Sequence, residues 1–353
     1  MTRVEKLVIE GYRGIDYFEY EPKMINILVG RNNTGKSSIL EAAALLSTAS
    51  AGFYDTLGNN ILKEIIRRKG WENLKYFFNL NLEEKKLRLF GIIDGVEKEV
   101  NITYSEGYVP EILRQEASFL EYTDRLLSSL SKTGEKALEA LGKPMLTCKI
   151  LPGDNYVVAL SQLRGILPRV KSSSNVIFIG HQFGEGVDIK VIHDSLLPTA
   201  RLHQTLDYLK NRIPLFNDVR SDGRDIWIYF ENLPQPLPIS MIGDGMRETI
   251  RLLFIASLIR GGILLMEEPE NNLHPGLYDL VAERLVEVAR QDGTQIFLST
   301  HNLEFAERLL RNGGDLVNVI RLYRVKDELT YEVLEHGEAL EELDELHIDL
   351  RGP

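Results

Sequence analysis

The chain has 353 residues, of which 44% are hydrophobic, with a formal net charge of −11 and a single cysteine, Cys148. That length and apolar content suffice for one large or two ordinary packed domains; a lone cysteine excludes an intrachain disulfide, so a reducing cytoplasmic setting is expected and Cys148 reads as a small buried apolar residue. No apolar run approaches the ~20 residues of a membrane helix, no secretory core opens the chain, and the acidic balance excludes a surface that grips nucleic acid everywhere, though not a local basic groove.

In chain order, short alternating runs predict strands at residues 4–10, 17–20 and 25–29. The third leads into Gly30-Arg31-Asn32-Asn33-Thr34-Gly35-Lys36-Ser37-Ser38, and residues 38–46 continue with a helical composition. Strand, glycine loop and helix are the parts that wrap backbone N–H groups around a polyphosphate. Gly30 and Gly35 lack the Cβ that would clash where the backbone turns against phosphate oxygens, and Lys36 can set an ammonium between the β- and γ-phosphates. Ser37 offers a hydroxyl to Mg²⁺, which keeps most of its water and needs few protein ligands.

A helix is expected over 60–68, with strands at 74–82, 86–93 and 98–104. Apolar spacing turns helical over 110–141, then predicts strands at 145–151 and 175–180 and a helix over 188–211. Three basic clusters, Arg67-Arg68-Lys69, Lys85-Lys86 with Arg88, and Arg164 with Arg169 and Lys171, read as solvated faces rather than DNA sites. The last third alternates strand 225–231, helix 248–260, buried strand 262–267, helix 276–289, strand 295–299 and helix 303–311. This predicts an α/β fold with a mostly parallel central sheet, and places the middle of the chain in a lobe inserted into one nucleotide-binding fold. The divisions expected are 1–109 (first half, with an antiparallel β part), 110–212 (inserted helical or mixed lobe), 213–334 (second half) and 335–353, an acidic tail that reads as an exposed amphipathic helix or a docking segment.

Gly261-Gly262-Ile263-Leu264-Leu265-Met266-Glu267-Glu268-Pro269 is an apolar strand ending in two carboxylates. In phosphoryl-transfer sites the first acid orients Mg²⁺ or its waters and the second polarises the attacking water, roles that fall to Glu267 and Glu268. His301 follows another strand and can reach a γ-phosphate from the sheet edge, with a structural cap as the competing reading. His274, before Pro275, reads more simply as packing or capping. No Cys/His spacing suggests zinc, and no nucleophile elbow supports a Ser-His-Asp triad. Gly243-Asp244-Gly245 precedes a helix and frees N–H groups for a second anion, which makes sense if it caps a nucleotide held by another subunit.

Together these motifs resemble the ABC-type ATPase heads of the RecF, SMC and OLD (overcoming lysogenization defect) group, especially the stand-alone OLD-like AAA family ATPases. The likeness rests on Ile9-Glu10-Gly11-Tyr12-Arg13-Gly14-Ile15, Walker A at residues 30–37, the signature-like Gly243-Asp244-Gly245, Walker B with Glu267-Glu268-Pro269-Glu270, the D-loop-like Asn271-Asn272-Leu273-His274-Pro275 and the switch His301. It implies ATP and Mg²⁺ as ligands, a homodimer that closes on ATP and opens on hydrolysis, and a nucleotide- or DNA-sensing role for Arg13. Departures are Glu267 in place of the usual Asp, a signature without a clean Ser-Gly-Gly, which leaves Ser240 or Gly243 to meet the γ-phosphate, and a glutamine loop represented only by Gln182 or Gln162. The residues after His301 are too few for a Toprim nuclease domain.

The resemblance implies an Mg²⁺-dependent ATPase acting in DNA maintenance or antiphage defence, with DNA and a separate nuclease or other effector as partners. A nucleotide-gated scaffold with little turnover is the alternative; a transporter subunit and a P-loop kinase fit the motifs less well.

Overall fold

A computed structural model describes residues 1–80, 85–105, 145–152, 155–160, 165–167, 174–180, 188–326 and 328–352. The chain runs β1 (Val4–Tyr12), β2 (Ile15–Tyr20), β3 (Ile25–Gly30), α1 (Lys36–Thr48), α2 (Ile61–Lys69), β4 (Lys86–Ile93), β5 (Val96–Ser105), β6 (Met145–Leu151), β7 (Asn155–Leu160), β8 (Gly165–Leu167) and β9 (Val176–Ile179). It continues through α3 (Ile189–Leu196), α4 (Ala200–Lys210), β10 (Phe216–Ser221), β11 (Ile226–Phe230), β12 (Leu237–Pro238) and α5 (Asp244–Leu258). The last elements are β13 (Ile263–Glu267), α6 (Tyr278–Asp292), β14 (Gln295–Ser299), α7 (Leu303–Gly313), β15 (Val317–Val325), β16 (Glu328–Glu335) and α8 (His336–Asp344).

The central sheet has the order β16-β15-β3-β14-β13-β9, parallel throughout except for the antiparallel edge strand β16. Every residue of β3, β9, β13 and β14 is buried, as expected of parallel strands covered on both faces. Side chains alternate between two cores. Leu264 and Met266 of β13 join the core shared with α5, α6 and α7, whereas Ile263 and Leu265 join the core around α1. By the same period of two, Glu267 projects from the strand end toward α1.

A second, antiparallel sheet, β2-β1-β4-β5-β6-β7-β8, packs over the other side of α1. This sandwich explains why α1 is buried nearly all round: Ile39, Leu40, Leu45 and Leu46 are each at most 2% exposed, worth about 1.5–3 kcal/mol apiece in buried area. Cys148 is buried in β6, and burial pushes its thiol well above the usual range, consistent with a packing residue.

Several expectations are redrawn. Of the strand expected over 74–82, residues 81 and 82 lie outside the described residues and 74–80 form no strand; Trp71–Phe77 is a 3-10 turn, because the buried Leu74, Phe77 and Phe78 follow helical rather than alternating spacing. The expected helix over 188–211 is two, α3 and α4, broken where Pro198 removes a backbone donor. Residues 110–141 lie outside the described residues. Of the segment assigned to an inserted lobe, β6 to β8 extend the antiparallel sheet and β9 joins the central one. The acidic stretch holds the expected amphipathic helix, α8, with Glu338, Glu341 and Asp344 exposed and Ala339 turned into the domain. Arg311 pairs with Asp344, Arg321 with Glu332 and Glu342, and Ala339 and Leu350 are fully buried.

Candidate nucleotide site

The phosphate loop leaves β3 with Gly30 at φ 147°, where a Cβ would stand 2.3 Å from the Leu322 carbonyl oxygen. Thr34 Oγ1 closes the loop by donating to Arg31 O at 2.9 Å, and Gly35, at φ 101°, starts α1. Asn33 sits in the left-handed region at φ 65°, and its carbonyl accepts Arg324 Nε at 3.1 Å. Arg31, Asn32, Asn33 and Ser37 are exposed, whereas Ser38 is buried. Lys36 is buried, and its ammonium donates to the carbonyls of Gly30 at 2.7 Å and Arg31 at 2.8 Å. Burial pushes Lys36 down to about 8, opposed by the charge of Glu268.

The parallel register of β13 and β14 sets Glu267 beside Ser299, so the residues that follow the two strands meet at one edge. Glu268 N donates to Ser299 O at 2.9 Å, with Glu268 at φ 47°. His301 Nε2 lies 3.0 Å from Glu268 Oε1, and Glu268 Oε2 accepts Asn271 Nδ2 at 2.8 Å. His301 is held below its ordinary pKa by burial and by Lys36, with Glu268 opposing; Lys36, Glu268 and His301 thus share one electrostatic site.

Glu270 organises the loop that carries His301. Its Oε1 accepts the Thr300 hydroxyl and, at 3.3 Å, His301 N, while Thr300 Oγ1 accepts Asn302 N at 2.9 Å. Burial pushes the Glu270 carboxyl up to about 7 against these hydrogen bonds. From the other side Arg351 Nη1 donates to the His301 carbonyl at 3.2 Å. His274 is a cap, accepting Gly276 N on Nδ1 at 3.1 Å.

Sequence reasoning missed the ionic cluster on the α1 side of Glu267. Glu41, fully buried on α1, accepts the Tyr12 hydroxyl at 2.8 Å and pairs with Arg13, whose backbone is at φ 52°. Arg68 Nη1 lies 3.0 Å from Glu267 Oε2 and 3.5 Å from Glu41 Oε1. The reading of Arg67-Arg68-Lys69 as a solvated face is therefore corrected for Arg68, whose side chain is 13% exposed. The available signal was its place three residues after the buried Ile65 on an amphipathic helix.

Gly243-Asp244-Gly245 opens α5, with Gly243 and Asp244 exposed. A Cβ on Gly245 would stand 3.1 Å from Asn272 O, so this loop packs on the Asn271-Asn272 turn. Asp244, Arg247, Glu267, Glu268 and Asn272 line one cleft of about 700 Å³, whose lining includes no phosphate-loop residue. Gln182 and Gln162 lie outside the described residues. No cluster of three or more His, Cys, Asp or Glu suited to a metal is found among the described residues. The exposed Ser37 hydroxyl and the Glu267 carboxylate are hard oxygen donors, and suit Mg²⁺ completed by phosphate and water.

The fold is that of a P-loop ATPase, and solved Smc heads share it. Two Smc head structures match at low identity: a head bound to the C-winged helix domain of ScpA (TM-score 0.54, 10% identity, covering 95% of this chain and 99% of that one) and a Pyrococcus furiosus head with an extended coiled coil (TM-score 0.53, 12%, covering 99% and 100%). The family model for the AAA ATPase domain matches residues 3–183, and the chain belongs to that family. A second AAA domain model, described by reference to the AbiEii toxin and type IV toxin–antitoxin systems, matches residues 167–307. The ATP/GTP phosphatase of Helicobacter pylori is 22% identical over 346 residues, covering 90% of this chain and 91% of that protein. The uncharacterized protein MJECL10 of Methanocaldococcus jannaschii is 40% identical over 84 residues, which are 24% of this chain and 37% of that protein. The chain thus aligns with little more than a third of MJECL10.

Proposed function

We propose that this ATPase works as an ATP-closed homodimer, each nucleotide lying between the phosphate loop of one subunit and the Gly243-Asp244-Gly245 loop of the other. The observation that carries the reading is the placement of that loop: an exposed helix start that shares a cleft with Glu267 and Glu268 and with no residue of its own phosphate loop. Within each site Lys36 and the loop N–H groups hold phosphate charge, and Ser37 and Glu267 hold Mg²⁺, which when bound neutralises the polyphosphate. Glu268 accepts a proton from the attacking water, and His301, kept neutral by its surroundings, steadies the γ-phosphate side of that water.

Closure on ATP and opening on hydrolysis make the dimer a two-state switch. Its expected use is DNA maintenance or antiphage defence alongside a separate effector, a reading supported by the resemblance to RecF, SMC and OLD heads and by the match to the model described with toxin–antitoxin systems.

Mixing two inactive variants tests the shared site. Lys36→Ala removes the phosphate-loop cation; Gly243→Glu is sterically free, with nothing within 4 Å of its Cβ and φ at −57°, but puts a negative charge where the phosphate would sit. Random pairing of the two leaves one intact site in every heterodimer, so an equal mixture should recover about a quarter of wild-type turnover. No recovery, with both variants folded and dimer-competent, would rule out sites shared between subunits.

A further inference from the structure

The acid that ends β13 is a glutamate, one methylene longer than the aspartate usual in this position of the family it resembles. A longer side chain has an extra torsion to fix, and a metal-binding carboxylate is useful only when held still. The structure holds it from the side of α2. Arg68 sits near the end of that helix, whose Ile61, Leu62, Ile65 and Ile66 are buried, and whose start is capped by Asn60 Oδ1 accepting Lys63 N at 2.9 Å. Arg67 turns outward to pair with Glu64, while Arg68 turns inward. One Arg68 nitrogen reaches both Glu267 Oε2 at 3.0 Å and Glu41 Oε1 at 3.5 Å, so a single guanidinium ties the strand that ends in the acid to the helix that starts at the phosphate loop.

Glu41 is itself fixed. It is fully buried, and its other oxygen takes the Tyr12 hydroxyl and the Arg13 guanidinium, which lies over the rings of Tyr12 at 4.9 Å and Phe77 at 5.6 Å. Two carboxylates and two guanidiniums therefore balance in a buried cluster whose far end is Glu267. The shared Arg68 nitrogen carries two N–H donors, one for each carboxylate, in a rigid planar group; a lysine ammonium on a flexible stem holds its donors less firmly.

We propose that Arg68 is a positioning residue for Mg²⁺: it pins one oxygen of Glu267 and so presents the longer carboxylate to the ion at the place a shorter acid would reach unaided. This rests on the reading of Glu267 as the Mg²⁺ acid. Because Arg68 acts through Glu267, its loss weakens metal binding rather than nucleotide contact as such. Loss of an outer partner of a metal-binding carboxylate typically costs about 10–100-fold in metal affinity.

The test is the binding of a fluorescent ATP analogue, titrated with Mg²⁺, on the full chain. Arg68→Gln should raise the Mg²⁺ midpoint about 10–100-fold while affinity in EDTA stays unchanged, and Arg68→Lys should fall between the two. Arg68→Gln combined with Glu267→Gln should be no worse than Glu267→Gln alone, since the first residue acts through the second. A wild-type midpoint for a folded Arg68→Gln, with only a lower melting temperature, overturns the proposal and leaves Arg68 as a packing residue. If Arg68→Gln does not fold, the Lys variant decides: a folded Lys variant with a wild-type midpoint overturns it equally. A wild-type midpoint for Glu267→Gln instead removes the reading of Glu267 on which the proposal stands, so the two failures are told apart.

Discussion

His301 Nε2 stands 3.0 Å from Glu268 Oε1, a contact made between the residues that follow two neighbouring parallel strands. Hydrolysis by this ATPase would use both groups on the same water, with Glu268 as the base and His301 as its neutral companion. Replacing Glu268 with Gln keeps shape and hydrogen bonding but removes the base, so turnover should fall about 10²–10⁴-fold with ATP still bound. Light scattering with Mg-ATP should then show the Glu268→Gln protein as a stable dimer. Turnover within a few-fold of wild type would remove Glu268 from the base role.

Arg351 holds the same loop by its backbone, donating to the His301 carbonyl at 3.2 Å. One such hydrogen bond contributes about 1 kcal/mol, so Arg351→Ala should lower turnover at saturating Mg-ATP by about 2–10-fold. The melting temperature should move little, because the neighbouring anchor, Leu350, stays buried. Unchanged turnover would show that the tail does not act on the His301 loop.

Glu270 makes stability depend on pH in a direction opposite to most acidic residues. Its folded pKa, about 7, lies above the ordinary 4.5, so below 4.5 both folded and unfolded chains hold the proton. As pH climbs from about 4.5 to about 7, the unfolded chain releases a proton that the folded chain keeps. Stability is lost across that window, by an amount on the order of 3 kcal/mol at most. Glu270→Gln stays neutral and should flatten this part of the profile. Urea midpoints for both proteins at pH values on either side of the window check it, and parallel profiles would contradict the assignment.

Gly30 tolerates no side chain: a Cβ there meets the Leu322 carbonyl oxygen at 2.3 Å, at a φ of 147°. Gly30→Ala should destabilise the protein by more than about 2 kcal/mol, a fall of several degrees in melting temperature. Gly243→Ala, with φ −57° and open space around its Cβ, should be nearly neutral in the same assay. Equal effects at the two glycines would contradict the backbone geometry of the phosphate loop.

The sequence by itself determined the local pieces of this protein. The glycine loop at residues 30–37 was legible because close backbone approach to phosphate leaves few residue types to choose from. The strands ending at Glu267 and Ser299 were legible because strands buried on both faces must be apolar throughout. Alternation of strand and helix gave the α/β class. Where local spacing misled, as at residues 74–80, the buried side chains followed a helical rather than an alternating period.

Tertiary structure decided what depends on elements far apart in the chain. Strand order set His301 beside Glu268, and the period of two along β13 turned Glu267 toward α1. Arg68 in its basic run looked like solvent-facing charge; only the packing of α2 buried it against Glu41 and Glu267. The acidic helix near the carboxyl end was legible as amphipathic, but its partners were not: Arg311 and Arg321 on the folded domain pair with Asp344 and Glu342. Sequence spacing reports which face of an element is apolar, whereas the partner of a charged side chain is fixed by which distant elements are brought within ion-pair distance, and no local pattern records that.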